Sequence, residues 1–406
     1  MRQRFVRILW SSLFLYELFC LFLAGILRDH PPHFLPAPLP GLLEGVFLLA
    51  TLLPVYLLLS FRGFLPRRRF LNATFFFFYF ATGIFLAGFL AAEGAIGLHN
   101  LLFSGSFIQG TRRWNEAESV GALLLACLLA IALFERLRPP RVLARTLFFP
   151  SIPPDIGGTT ILHMSDLHVG SWQGEKSLGR IARMAQALSP DILVYTGDMI
   201  DHRPEEVLIF SRIFGGIRGR LGTVAVLGNH EYWTLGGEAR EIMKGSGVTI
   251  LRNESLLLRK GRGMIRIVGV DDPAGEGEGP GCGPDLGQSL RDLQPGEFVV
   301  ALVHQPTLWE GKLMAVADLT LSGHTHGGQI GGRRPLWNLA RAFFRYDAGF
   351  FESPDPALRG HVLHVSTGLG YYGIPVRLGM TPEMTLITLR PAGNPADSSR
   401  GPSGQS

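Results

Sequence analysis

Apolar positions are spread unevenly along the chain. In the first third they run without alternation over Ile8 to Leu27, Leu42 to Phe61, Leu71 to Ala92 and Val120 to Leu137. Each run approaches the ~20 helical residues needed to cross a bilayer core of roughly 30 Å, so four transmembrane helices are expected, the fourth shortened by Glu135 and Arg136. The first run is too long for a secretory peptide and lacks a small-residue cleavage site, so it is read as a retained anchor. From Thr159 short β-rich runs alternate with amphipathic ones. Strands are expected at Thr160 to Met164, Ile192 to Thr196, Thr223 to Leu227, Val248 to Leu251, Ser255 to Leu258, Ile265 to Val270, Phe298 to Val303, Leu319 to Ser322, Val362 to Ser366 and Met384 to Leu389. Helices are expected near Lys176 to Leu188, Glu205 to Phe214, Glu238 to Gly245, Asp285 to Leu293 and Thr307 to Val316. This is an α/β pattern. It divides the chain into a membrane domain at 1–138, a Pro-punctuated linker at 139–158, a second domain at 159–390 and a Pro/Ser/Gly-rich tail at 391–406, expected to be disordered.

Composition sharpens the division. Of 406 residues 47% are hydrophobic and 17% charged, against about a quarter charged in an ordinary soluble domain. Up to Pro150 the chain has 14 Arg, no Lys and 7 acidic residues, a balance of +7; the remainder has 24 basic and 26 acidic residues, a balance of −2. A nucleic-acid-binding domain would carry its positive charge on the soluble part, so no nucleic-acid partner is expected. The arginines instead mark topology: Arg2, Arg4 and Arg7, then Arg62 and Arg67 to Arg69, then Arg136, Arg138, Arg141 and Arg145 fall on one side of the four spans. Both termini, and with them the second domain, are therefore expected on the cytoplasmic side of an inner membrane. Cys20 and Cys127 lie in apolar runs and Cys282 in a Gly/Pro-rich loop, a distribution that implies neither a disulfide framework nor a thiolate cluster.

The candidate chemistry sits where strands end. Asp166 and His168 follow the first strand, Asp198 closes the second, Asn229 and His230 the third, His304 the Phe298 strand, and His324 and His326 the Leu319 strand. Loop residues at the strand ends of an α/β sheet converge on one crevice. Oxygen and imidazole donors without sulfur suit manganese, iron or zinc in a catalytic site. Asp-Leu-His and His-Thr-His, if extended, point their outer side chains the same way. Two metals about 3.5–4 Å apart need a bridging ligand, and Asp198 is the one carboxylate at a central strand end without an adjacent imidazole.

These residues also carry a family resemblance. Asp166-Leu167-His168, Gly197-Asp198, Gly228-Asn229-His230-Glu231, His304 and Gly323-His324-Thr325-His326 together resemble the calcineurin-like metallophosphoesterase signature, over roughly Thr159 to Leu389. Ser322 to Ile330, Ser366 to Gly370, Pro375-Val376-Arg377 and Pro382-Glu383 are similar to a membrane-associated bacterial branch, some of whose members cleave UDP-2,3-diacylglucosamine in lipid A synthesis. The resemblance implies two packed β-sheets flanked by helices around a di-metal site. It assigns Asp166, His168 and His326 to one metal, Asn229, His304 and His324 to the other, and Asp198 to both, with His230 as general acid or phosphate contact. The cofactors it implies are two divalent cations, manganese first, iron or zinc next. Four spans depart from the signal or single anchor of the nearest relatives.

A phosphoesterase tethered to a bilayer gains effective concentration only for substrates sharing that surface. The expected function is hydrolysis of a phosphodiester or pyrophosphate in a lipid-linked substrate, with UDP-2,3-diacylglucosamine, cleaved to UMP and diacylglucosamine 1-phosphate, as the specific expectation. A phospholipid or broad-specificity phosphoesterase is the alternative; a non-catalytic membrane scaffold or sensor is the reading from another class. Trp172, Trp233 and Arg334 are candidate substrate contacts, and Arg333 to Phe351 has the spacing of an interfacial amphipathic helix.

Overall fold

Ile192-Leu-Val-Tyr-Thr196 has no polar face, and such a strand is stable only where both faces are covered. In the computed structural model, which describes residues 138–332, 337–358, 360–373 and 377–392, all five of these residues are buried. The chain divides into two units, 1–134 with 373–375 and 135–372 with 376–406, and the fold below is that of the second. The four expected spans lie outside the described residues, as does the tail from 393 onward. Among the described residues no helix is long and apolar enough to cross a membrane.

Two six-stranded mixed sheets pack face to face. The first contains β1 (Arg141–Phe149), β2 (Thr160–Met164), β3 (Ile192–Thr196), β4 (Gly222–Val226), β5 (Thr249–Ile250) and β12 (Glu383–Pro391), in the order β1-β12-β2-β3-β4-β5. The second contains β6 (Glu254–Lys260), β7 (Gly263–Gly269), β8 (Phe298–Leu302), β9 (Leu319–Ser322), β10 (Gly349–Glu352) and β11 (Val362–Val365), in the order β10-β11-β9-β8-β7-β6. Ile161, Ile192, Val194, Val224, Ile267, Val300, Leu319 and Ile387 fill the space between the sheets. Helices α1 (Glu175–Leu188) and α2 (Glu206–Phe214) cover the first sheet. In α1 the apolar stripe Leu178, Ile181, Ala182 and Ala185 is buried, and Ser189 closes the helix with a left-handed φ of 43°. Short helices α3 (Asn229–Leu235), α4 (Ala239–Lys244), α5 (Leu286–Ser289) and α6 (Lys312–Val316) complete the domain. Strands β2, β3 and β4 run parallel, as do β7, β8, β9 and β11, so their C-terminal loops gather at one end.

All ten expected strands are present, and two were not anticipated. The expected linker contains β1, whose Arg141-Val-Leu-Ala-Arg-Thr-Leu-Phe-Phe149 pairs in parallel with β12 from Arg141↔Glu383 to Phe149↔Pro391. The prolines at 139, 140, 150, 153 and 154 flank this strand and leave its ladder intact. The expected interfacial helix is absent from the described part of Arg333 to Phe351. That part forms a 3-10 turn at Leu339–Ala342 and then β10. Asn338 caps the turn by accepting from the Arg341 amide at 3.1 Å, and the Asp347 carboxylate takes Asn338 Nδ2 and, at 3.2 Å, Arg341 Nε, which folds the segment back on itself.

Beneath the strand ends a buried polar chain joins the sheets. His163 of β2 and His364 of β11 meet Nδ1 to Nδ1 at 2.9 Å, and His163 Nε2 lies 2.8 Å from Thr196 Oγ1, which donates to Ser165 Oγ at 2.8 Å. Because Thr196 spends its proton on Ser165, His163 Nε2 must be the donor, and its Nδ1 then accepts from His364. Burial lowers both imidazoles, His364 to about 3 and His163 well below its usual value, where the facing ring adds to the effect. With folded pKa values below the unfolded ~6.5, the unfolded chain binds more protons as the pH falls. Stability is therefore expected to drop from about pH 6.5 downward, by up to ~1.4 kcal/mol per pH unit for each histidine. Denaturation midpoints of metal-free protein between pH 7 and pH 4 test this. The slope should flatten in His163→Gln and His364→Gln, whereas slopes identical to the parent would refute it.

Candidate metal centre

Five loops at the ligand-bearing end bring the expected residues together. Asp166 and His168 come from the loop after β2, Asp198 from that after β3, Asn229 and His230 from the first turn of α3, His304 from the end of β8 and His324 and His326 from the loop after β9. Donor atoms of Asp166, His168 and His326 lie within 4.8 Å of one another, as do those of Asp198, His304 and His324, and of His168, Asp198 and His230. Asp198 Oδ2 stands between the first two sets, 3.6 Å from His168 Nε2 and 3.3 Å from His304 Nε2. Asn229 Oδ1 is 3.0 Å from His304 Nε2 and completes the second set.

The local backbone is bent to achieve this. Of the eight non-glycine residues with positive φ among those described, five are Asp166, His168, Asp198, His324 and His326, at 44° to 72°. Conformations of this kind cost of order 1–3 kcal/mol each and persist where surrounding structure holds them. Glu231 supplies part of that hold. Its buried carboxylate accepts from the amides of Asp198 at 2.9 Å, Met199 at 2.7 Å, Ile200 at 3.1 Å and Gly228 at 2.7 Å, binding the loop after β3 to the start of α3. Gly323 is needed for space: a Cβ there would fall 1.9 Å from Ser165 Oγ and 2.3 Å from Asp166 Oδ2. Gly323→Ala should therefore displace Asp166 and lower manganese affinity on the order of 10–100-fold, as for losses of supporting contacts around a metal. A manganese titration giving the parent affinity would refute that role.

Hydrogen bonding shows that this donor set suits cations. His168 Nδ1 donates to Asp201 Oδ1 at 3.1 Å and His304 Nδ1 to the Thr196 carbonyl at 2.7 Å, which leaves both Nε2 atoms as acceptors. Around them stand Asp198 Oδ2 and Asn229 Oδ1, acceptors too, and two further ring nitrogens, His326 Nε2 at 3.0 Å from His168 Nε2 and His324 Nδ1 at 3.2 Å from His304 Nε2, an acceptor-rich cluster that suits a cation. Burial would lower the His304 imidazole, but Asp198, Asp166 and Asp272 raise it well above its usual value. Burial would likewise raise Asp198, yet His304 and His230 hold it well below the ordinary carboxylate range. In effect a proton on His304 balances the carboxylate, the task a divalent cation performs at such a site.

His230 is placed differently. Its Nδ1 lies 2.8 Å from the Asp201 carbonyl and 3.3 Å from Asp201 Oδ1, while its buried Nε2 has no protein partner among the described residues. Against the penalty of burial, Asp198 and Asp201 raise this imidazole to about 9, so it carries a proton at neutral pH. Around it stand Trp233 at 4.9 Å and Tyr372 at 5.7 Å between ring centres, and Phe344 meets His324 edge-on at 5.6 Å. Trp233, Tyr372, Phe343, Phe344 and Leu339, with Asp198, Asn229, His324 and His326, line a cavity of about 290 Å³.

Of the expected substrate contacts only Trp233 lines that cavity. Trp172 is half-buried and outside the lining, and Arg334 lies outside the described residues. Sequence reasoning missed Asp201, whose Oδ1 faces the Nδ1 atoms of His168 at 3.1 Å and His230 at 3.3 Å, since its spacing of three from Asp198 carries no signal by itself. Arg377 was noted without a role. It is buried beside His326, with Nη2 3.2 Å from Nδ1, and donates to the carbonyls of Thr367 at 2.8 Å and Gly370 at 2.6 Å.

Comparisons agree with this geometry. The family model described as calcineurin-like phosphoesterase matches residues 159–328. An uncharacterized metallophosphoesterase of Aquifex aeolicus is 30% identical over 237 residues, covering 58% of this chain and 86% of its own. Proteins named "Transmembrane protein with metallophosphoesterase domain" from Bos taurus and Danio rerio are 31% and 29% identical, covering 70% and 71% of this chain. The matched region spans 64% of the Bos taurus protein and 68% of the Danio rerio protein. With its strand-end ligand clusters, its two-sheet architecture and a relative matched over most of its length, this chain belongs to the calcineurin-like metallophosphoesterases.

Proposed function

We propose that this chain hydrolyses a phosphodiester or pyrophosphate bond in a lipid-linked substrate, using two divalent cations at the strand-end centre. Asp166, His168 and His326 would hold one cation, Asn229, His304 and His324 the other, and Asp198 would serve both. The observation that carries this assignment is the reach of Asp198 Oδ2 to a ring nitrogen of each set, at 3.6 Å and 3.3 Å. Manganese, iron and zinc all accept mixed oxygen and imidazole donors, and manganese is the cation to offer first. Bound there, such cations make water a nucleophile near neutral pH and offset charge on the phosphoryl oxygens.

The protein's own groups supply the rest. His230 Nε2 has no protein partner among the described residues and its ring lies beside Trp233 and Tyr372 of the cavity wall, so it can give a proton to the departing oxygen. Asp201 fixes the ring by taking its Nδ1 side, and the same carboxylate orients His168. No phospho-enzyme is needed.

The lipid part of the proposal rests on the aromatic cavity wall and on the four apolar runs before residue 138. The names of the Bos taurus and Danio rerio relatives support placing those runs in a membrane. UDP-2,3-diacylglucosamine, giving UMP and diacylglucosamine 1-phosphate, is the substrate to offer first, beside a phospholipid and a water-soluble aryl phosphodiester. UMP release by detergent-purified protein with manganese, absent in Asp198→Ala, is expected. Hydrolysis of the aryl ester alone would remove the lipid substrate from the proposal and leave the phosphoesterase.

The topology is tested separately. A reporter fused after Pro391 should read as cytoplasmic, because the arginine-rich loops share that side. Activity of a reporter that works only in the periplasm would overturn this placement.

A further inference from the structure

We propose that the ligand-bearing end of the domain seats directly on the lipid bilayer, with Trp233, Trp337, Leu339, Phe343 and Tyr372 as its contact surface. The inference rests on the reading that the residues before 138 are membrane-embedded, and it adds which end of the domain meets the lipid.

Two independent observations lead there. The first is where the chain enters the fold. β12 runs antiparallel to β2, with Thr385 opposite His163 and Thr388 opposite Thr160, so its N-terminus lies at the end of β2 that leads to Asp166. β1 runs parallel to β12, with Arg141 opposite Glu383, and the Arg141 guanidinium is 3.5 Å from that carboxylate. Glu383 in turn accepts from the Thr367 amide at 3.3 Å, one residue from Gly368, which packs on Asp166. The domain is therefore entered at its ligand-bearing end, two strands from β2, a lateral distance of roughly 10 Å. From Leu137, the last residue of the fourth expected span, four residue steps lead to Arg141, a reach of at most roughly 14 Å. A tether this short cannot hold the metal centre far from the membrane surface.

The second observation is the surface at that end. Trp233 is 63% exposed, Trp337 56%, Leu339 46%, Phe343 77% and Tyr372 44%. These are five of the eight large apolar side chains most exposed among the described residues. Trp337 stands outside the cavity lining, so the patch is wider than a substrate pocket alone requires. Tryptophan and tyrosine are the side chains enriched at the headgroup level of bilayers. Of the described arginines nearby, Arg341 pairs with Asp347 and Arg345 with Glu310. Apolar insertion is the chemistry the surface offers. At the opposite end of β1, Phe148 is also exposed, at 61%, and serves as an internal control.

The test is nitroxide depth measurement on the full chain in phospholipid nanodiscs, with Cys20, Cys127 and Cys282 replaced by Ser. One label is placed at Phe343→Cys, a second at Trp337→Cys in case the first disturbs the fold, and a third at Phe148→Cys. Seating predicts oxygen-favoured relaxation at 343 and 337, as for a group below the headgroups, and relaxation dominated by a water-soluble nickel chelate at 148. Equal nickel accessibility at all three sites would overturn it. So would labels at 343 and 337 shielded from both reagents, the mark of a protein partner or a second copy, and so would failure of the chain to enter discs. Hydrolysis is measured on discs that hold the unlabelled full chain. Lipid-depth labels without turnover of any lipid phosphoester would support the seat and remove the proposed substrate.

Discussion

Asp198→Asn should abolish hydrolysis to the background level while leaving the domain folded. The change keeps the side chain's shape and removes its charge. In the parent, Asp198 Oδ2 reaches His168 Nε2 and His304 Nε2 while Oδ1 accepts the His230 amide at 2.9 Å, so the carboxylate joins both candidate metal sets to α3. Two divalent cations need this negative charge between them. In the metal-free protein protonated His304 and His230 hold this carboxylate in its charged form, so its removal also costs stability there. The variant should therefore unfold below the parent's temperature without metal, and in addition lose most of the stabilisation that manganese gives. For the parent, a hundredfold excess over the dissociation constant corresponds to about 2.7 kcal/mol per site. Thermal scans with and without manganese, beside a hydrolysis assay, measure both effects. A variant that kept the full manganese-induced shift would remove Asp198 from the centre.

His230→Asn should separate chemistry from metal binding. His230 Nε2 has no partner among the described residues, whereas its Nδ1 is fixed by Asp201. A group so placed acts on the substrate, and loss of a general acid costs typically 10²–10⁴-fold in rate. Metal content should stay at the parent value, and the loss should be smallest for an ester with an acidic phenol as leaving group, which needs little protonation. The alkaline limb of the parent's pH–rate profile should also disappear, since the protonated imidazole responsible for it is gone. Lower metal content with an unchanged leaving-group dependence would make His230 a ligand instead.

Much of this centre was legible in the sequence because its chemistry is locally contiguous. Asp166-Leu167-His168 and His324-Thr325-His326 each deliver two donors from one loop, and fully apolar strands such as Ile192 to Thr196 announce which ends converge. What escaped depends on three-dimensional closure. Asp201 matters only because the loop after β3 turns its carboxylate to 3.1 Å from His168, and Glu231 only because four amides point at it. Gly228-Asn229-His230-Glu231 reads as a turn, yet it opens α3, with the Glu231 carboxylate accepting the Gly228 amide in place of a capping side chain. β1 was hidden by flanking prolines, and its place in the fold is visible only through its pairing with β12, some 240 residues later in the chain.

The most direct test of the two-cation account is hydrolysis of a water-soluble aryl phosphodiester, followed as manganese is returned to chelator-stripped protein and bound metal is counted. The account predicts no turnover without metal and a rate that rises to its plateau as the second cation per chain binds. Turnover indifferent to chelation, or two cations bound with neither this ester nor a lipid phosphoester cleaved, would contradict it.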